Sequence, residues 1–190
     1  MSNLEKYRSL LSDVDALLLT GRVNRMYAAQ YGVAEGVCVI TRDEAFYLTD
    51  GRYLEATQNG LPDFTVLLVD RAHTYTDRIN EIIAKYTVKT LGFEEAELSY
   101  AEYQKYAAKL HAVLVPYQDR LDAPRAAKEP WELERMRAAQ QVTDKVFLEL
   151  LDVIRAGMTE KELEAELIYR LYKYGAEEPS FDPIVVSGPN

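Results

Sequence analysis

Cysteine, histidine and long apolar runs are what this sequence has least of. The single cysteine, Cys38, leaves no internal disulfide to build a secreted framework on. Only two histidines occur, His73 and His111. Neither has a Cys or a second His at ligand spacing, which argues against zinc. No uninterrupted apolar stretch approaches the roughly 18–20 residues that span a bilayer. The first residues, Met1-Ser2-Asn3-Leu4-Glu5-Lys6, lack the basic-then-apolar pattern of a signal peptide. A cytoplasmic protein with no membrane partner is the expectation. Basic residues are in the minority, 22 Lys and Arg against 31 Asp and Glu, for a formal net charge of -9. That field repels a phosphate backbone, and no basic stripe offsets it, so nucleic acid is not expected as a partner.

What is present is an ordinary globular composition, with 48% hydrophobic residues in a chain of 190. That length suits one full domain and part of a second. Leu4, Tyr7, Leu10 and Leu11 recur at helical spacing. The run Asp15-Ala-Leu-Leu-Leu-Thr20 reads as a strand buried on both faces. A short helical piece near Asn24 leads to strands over 36–41 and 44–50, whose two-residue connector makes an antiparallel hairpin. A helix starting near Arg52, a strand over 64–70, a helix over 74–86 and a strand over 90–94 follow. Ser99 and Glu102 form a capping box for a helix to about His111. The last strand, over 112–117, is placed at a sheet edge because Pro116 cannot donate to a ladder. Strands alternating with helices predict a three-layer, ribonuclease-H-like α/β domain with a mixed sheet over residues 1–120.

Residues 121–128 read as a linker, and the texture then changes. Pro130 suits a first helical turn, and apolar positions from Leu133 to Val153 recur near every 3.6 residues, predicting a helix that Gly157 ends. A second helix, capped at Thr159 and Glu162, runs to Gly175, and residues 180–187 read as a strand before a turn at 188–190. Two amphipathic helices and one strand have no sheet to cover, so residues 129–190 read as an incomplete α+β domain with an exposed apolar patch.

Several of these segments, in this order, resemble the creatinase, prolidase and Xaa-Pro aminopeptidase family. The residues that carry the likeness are Asp15 to Thr20, Asn24 with Tyr27, Phe46-Tyr-Leu-Thr-Asp-Gly-Arg-Tyr53, Leu91-Gly-Phe-Glu94 and Leu98-Ser-Tyr100. Beyond the linker they are Arg125 to Glu134, Ile154-Arg-Ala-Gly157, Gly175-Ala-Glu and Ser180 to Asn190. The run Tyr27-Ala-Ala-Gln-Tyr31 departs from the family pattern, as does Trp131 where an acidic residue is usual. The resemblance implies a creatinase-type N-terminal domain and the opening of a pita-bread catalytic domain. It further implies hydrolysis of the bond before proline by a water activated on two divalent ions (Mn, Co or Zn), in a homodimer acting on proline-containing peptides. The family's metal ligands, two Asp, one His and two Glu, have no counterpart in residues 1–190, so no catalytic or metal-binding residue is assigned and the chain alone is expected to be inactive. The alternative is a non-catalytic interaction module that docks a partner through its exposed helices.

A few side chains remain as candidates. In the family the turn Asp50-Gly51-Arg52-Tyr53 lies in the domain that packs on a neighbouring subunit and walls the active-site tunnel. Asp50, Arg52 and Tyr53 are therefore candidates for substrate access or the dimer interface; an exposed arginine starting a helix is the plainer reading. Phe181 and Ile184 are candidates for a pocket wall, with core packing as the plainer reading. Asp50 and Asp70 both end strands, a place where nucleases hold Mg²⁺, but turn formation explains each. Cys38, between Val37 and Val39, reads as a small buried hydrophobe.

Overall fold

The computed structural model describes residues 1–32 and 35–189, so Asn190, the end of the expected last turn, lies outside it. The described residues divide into two compact units, 1–127 and 128–190. Each is described by itself.

The first unit is built on six strands: β1 (Ala16–Leu19), β2 (Val37–Thr41), β3 (Ala45–Thr49), β4 (Thr65–Leu68), β5 (Thr90–Phe93) and β6 (Val113–Pro116). They stand side by side in the order β4-β3-β2-β1-β5-β6. β2 runs antiparallel to both its neighbours, β1 and β3. The pairs β3–β4, β1–β5 and β5–β6 are parallel. Five strands therefore point one way, and their carboxyl ends share one edge of the sheet. β6 stands at the outer edge, where its terminal Pro116 needs no ladder partner.

The pleat decides which side each residue serves. Leu17 and Leu19 of β1 join one core with Cys38, Ile40 and Tyr47. Ala16 and Leu18 join the other with Val39, Phe46 and Leu48. Successive side chains of a strand leave opposite faces, so an unbroken apolar run is what a sheet covered on both sides requires. Helices α1 (Asn3–Arg8) and α2 (Arg22–Ala29) contribute to the first core through Leu4, Tyr7 and Ala28. Helix α4 (Tyr75–Tyr86) lines the second with Ile79, Ile82 and Ile83. Helices α3 (Leu54–Gly60) and α5 (Tyr100–Lys109) fill the crossovers from β3 to β4 and from β5 to β6. The hairpin turn between β2 and β3 is closed by the Thr41 amide donating to the Glu44 carbonyl at 2.9 Å. Ser99 and Glu102 form the reciprocal cap of α5.

Where the sequence reads as linker from residue 121, the chain is still helical. Helix α6 (Gln118–Asp122) passes into a 3-10 turn, Ala123–Arg125, and Leu121 is wholly buried in the first core.

The second unit consists of α7 (Pro130–Leu151) and α8 (Glu160–Lys173), packed on each other. Helix α7 stops short of Gly157. The amides of Val153 and Ile154 both turn back to the Leu150 carbonyl at 3.0 Å, so the ladder tightens and unwinds there. Residues 180–187 correct the sequence reading, since they form no strand. A run rich in Val and Ile becomes a strand only beside a ladder partner, and no strand is described in this unit. Its observed tie is the Ser187 amide donating to Glu160 Oε1 at 2.7 Å. Val146 and Leu150 are buried, whereas Phe147, Leu148, Leu151 and Ile154 are each more than half exposed.

Gly36 marks a close approach of backbone at the start of β2. A Cβ at this position would lie 2.2 Å from the Leu48 carbonyl oxygen, which belongs to the β3 ladder and has nowhere to go. Gly36→Ala is expected to cost roughly 1–3 kcal/mol, the range for overpacking a filled interior. A urea unfolding midpoint unchanged from that of the parent chain would contradict this.

Candidate functional site

The carboxyl-terminal edge of the sheet carries Asp50, Asp70 and Glu94 just past β3, β4 and β5, and loops at such an edge are where open α/β sheets bind ligands. β3 ends there at Thr49, and the chain turns sharply. Asp50 makes the turn, its Oδ1 accepting from the Arg52 amide at 2.8 Å, while the Tyr53 amide donates to the Asp50 carbonyl at 3.2 Å. A short carboxylate satisfying the amide two residues on is the usual role of Asp in a turn.

The same carboxylate holds the Arg52 side chain. Nε donates to Oδ1 at 3.1 Å and to Oδ2 at 3.2 Å, and Nη2 donates to Oδ2 at 2.7 Å. Nη2 also reaches Glu35 Oε2 at 3.2 Å, and the guanidinium lies 5.1 Å from the centre of the Tyr53 ring. These hydrogen bonds hold the Asp50 carboxyl below its usual range and push the Arg52 guanidinium up. Thr49 Oγ1 donates to the Glu35 carbonyl at 2.7 Å and ties that loop to the strand. Asp50, Arg52 and Tyr53 thus form one surface cluster. Arg52 keeps 67% of its side chain exposed, so its cation is oriented yet open to an incoming group. The cluster can present a charge on an aromatic platform. It holds no nucleophile.

Asp70 lies at the same edge, one strand over, as a shared-metal reading needs. Its Oδ1 is taken up by the amides of Ala72 at 2.9 Å and His73 at 2.7 Å, a second turn of the same kind. Among the described residues no group of three or more His, Cys, Asp or Glu is placed to hold a metal ion, so the residues present do not fit a two-metal centre. Cys38 is buried, and burial pushes its thiol up, away from reactivity. Phe181 and Ile184 are 72% and 80% exposed, so they pack in no core.

Sequence reasoning missed a second constellation at this edge. Glu94, which closes β5, is buried and accepts from the amides of Thr20 at 2.6 Å and Gly21 at 2.7 Å, where α2 begins. A carboxylate at a helix start satisfies orphan amides and complements the helix dipole. Gly21 permits the approach, because a Cβ there would meet Glu94 Oε1 at 2.8 Å. Asn24, one turn into α2, donates to Glu94 Oε1 at 2.9 Å and to Asp122 Oδ1 at 3.0 Å. Its own oxygen accepts from the Tyr7 hydroxyl at 2.8 Å and from Arg125 Nε at 2.7 Å. The available signal was a glutamate ending an apolar strand and an asparagine inside an amphipathic helix, neither of which names its partner.

The fold is an α/β domain built on one mixed six-stranded sheet, followed by a unit of two helices. Residues 4–127 match the creatinase/prolidase N-terminal domain family, and residues 134–190 match metallopeptidase family M24. The chain belongs to the creatinase/prolidase N-terminal domain family. It is 29% identical over 188 residues to the peptidase YqhT of Bacillus subtilis, covering 97% of this chain and 53% of that protein. A solved Xaa-Pro dipeptidase from Bacillus anthracis superposes with a TM-score of 0.87 at 28% identity, over 95% of this chain and 51% of that one. An X-Pro aminopeptidase from Thermotoga maritima gives 0.84 at 27% identity, over 96% and 52%. The chain spans about half the length of the curated relatives it matches. No helix among the described residues is long and apolar enough to cross a membrane.

Acid tests the carboxylates that the fold uses as acceptors. Asp15 accepts from the amides of Lys89 and Thr90, both at 2.9 Å, and these bonds hold its carboxyl low. Hydrogen bonds from Gln118, Asn24 and Arg125 do the same for Asp122. A carboxyl lowered in the folded state stabilises fully above its unfolded value, near 3.8, and loses that contribution as pH falls through the folded value. Melting temperature is therefore expected to drop below about pH 4, and Asp15→Asn to flatten that drop while lowering stability at pH 7. An Asp15→Asn chain with the parent's full acid dependence would count against the assignment.

Proposed function

We propose that these residues are the access and dimerisation half of a cytoplasmic Xaa-Pro metallopeptidase acting on proline-containing peptides. The observation that carries this reading is the order of the two family matches, 4–127 and then 134–190, within one chain. Hydrolysis of the bond before proline would use two divalent ions, Mn, Co or Zn, held by M24 residues from the half of the relatives that this chain does not span. Asp50, Arg52 and Tyr53 would wall the path to that centre or meet the second subunit of a homodimer. The support is an exposed guanidinium held in place by a fixed carboxylate. Phe181 and Ile184 would line the peptide pocket, which their exposure leaves them free to do.

An interaction module that docks a partner through α7 and α8 is the second reading. Its supporting observation is the row of exposed apolar side chains from Phe147 to Ile154.

The 190-residue chain alone is expected to show no Mn²⁺-dependent release of the residue before proline from an Xaa-Pro dipeptide. A protein that continues these residues to the length of the relatives is expected to show it. In that longer protein Arg52→Ala should raise KM about tenfold with a smaller change in kcat, the loss of one charge-assisted hydrogen bond to substrate or partner. Turnover by the 190-residue chain would overturn the division of labour. Unchanged kinetics and unchanged dimerisation in Arg52→Ala would remove that residue from it.

A further inference from the structure

The chain leaves the first unit through residues 118–127, and an unusual concentration of long-range hydrogen bonds meets it there. Asp122 Oδ1 accepts from Asn24 Nδ2 at 3.0 Å and from Arg125 Nη2 at 2.6 Å, and its Oδ2 accepts from Gln118 Nε2 at 3.0 Å. Arg125 Nε donates to Asn24 Oδ1 at 2.7 Å. The Pro124 carbonyl accepts from the Tyr27 hydroxyl at 3.0 Å, and that hydroxyl accepts from Lys6 Nζ at 2.9 Å.

Asn24 is the hub, and its chemistry is specific. A carboxamide offers two acceptor sites and two N–H donors, and here both donors and both acceptor sites are used. Turning the amide over would aim its N–H groups at the Arg125 guanidinium and its oxygen at two carboxylates, so one orientation alone satisfies every partner. Aspartate has the same shape but no N–H, and it would set a third carboxylate against Glu94 and Asp122.

The segment held this way has little order of its own. A five-residue helix followed by a three-residue 3-10 turn lies far below the roughly 12–15 residues at which an isolated helix becomes even marginal. Its order comes from outside, from Leu121 in the core, from the Gln118 amide donating to Glu95 Oε2 at 2.9 Å, from the Arg120–Asp13 ion pair, from the neighbouring α1 and from this clasp. Leu121 anchors the first half. The second half, 122–125, is only partly buried or exposed and rests on the polar contacts.

We propose that the end of α6 and the 3-10 turn, residues 122–127, form a releasable strap pinned by Asn24. Docked, the strap makes the exit from the first unit a fixed point at its edge. Released, residues 122–127 join the connection to the second unit and lengthen it. Asn24 is thus a positioning residue, acting through Asp122 and Arg125, and the proposal stands whether or not the peptidase reading holds.

Hydrogen–deuterium exchange on the full 190-residue chain tests it, with peptides covering 118–127 compared against peptides covering β1, β2 and β5. Asn24→Asp is expected to speed exchange across 120–126 at least about tenfold, the size of a lost charge-assisted contact, and to leave the sheet peptides at the parent rate. If Asn24→Asp loosens the whole unit, Arg125→Gln opens the clasp from its partly exposed side and carries the same expectation. Protection of 120–126 unchanged in both variants would overturn the strap. So would acceleration of the sheet and the segment by the same factor in both, because the segment would then have no opening of its own.

Discussion

Everything in the first unit depends on a strand that touches no water. Leu17, Leu18 and Leu19 of β1 are fully buried, which is possible only if β1 has a strand on each side and a helical layer above and below. Those two neighbours are not equivalent. β2 arrives antiparallel from a nearby segment, whereas β5 arrives parallel from more than 70 residues away in sequence. Parallel pairing brings the ends of β1 and β5 out at the same edge, and that is how Glu94 comes to face the start of α2. Burying that carboxylate without partners would cost several kcal/mol. The amides of Thr20 and Gly21 offset this by offering donors that the helix cannot satisfy internally.

The same constraint explains how the carboxylates of Asp50, Asp70 and Glu94 come to one edge. Five strands end there, so Thr20, Asp50, Asp70, Glu94 and Tyr117 all lie where the backbone stops pairing and needs other partners. Asp50, Asp70 and Glu94 each meet that need by accepting from nearby amides. Arg52 is different. Among the described residues its side-chain donors meet the carboxylates of Asp50 and Glu35, and the turn has already fixed Asp50. The outcome is a cation whose position is determined but whose surface remains open, a combination suited to meeting another molecule.

Much of this was legible from local signals. The apolar run at 15–20, the two-residue connector of the hairpin, the Ser99 and Glu102 cap and the edge position implied by Pro116 all rest on neighbours a few residues apart. What the sequence could not display is pairing at long range. Asn24 meets Asp122 and Arg125 across separations of 98 and 101 residues, and no periodicity announces such a contact. For the same reason residues 121–128 read as a linker. Ala, Pro and Arg carry a loop's composition, and only Leu121, buried across the fold, shows that the segment belongs to the domain. The opposite error occurred at 180–187, where Val and Ile suggested a strand although β-propensity expresses a fit to neighbouring strands more than an intrinsic preference.

The two units differ in how completely they satisfy their own apolar groups, and this bears on what each contributes. The first closes two cores, and its hydrophobic side chains line both faces of one sheet. In the second, Val146 and Leu150 are buried while Phe147, Leu148, Leu151, Tyr169 and Tyr172 stay more than half exposed. A pair of helices offers one shared seam, and apolar residues on more than one stripe need more than one neighbour. The exposed stripes are the ones for which no second layer is described. β1 is an unbroken apolar run, whereas the apolar stripe of α7 is interrupted by Glu149 and Asp152 and has no second layer among the described residues. The first unit closes a core on each face of its sheet, whereas the second leaves apolar side chains of both its helices exposed.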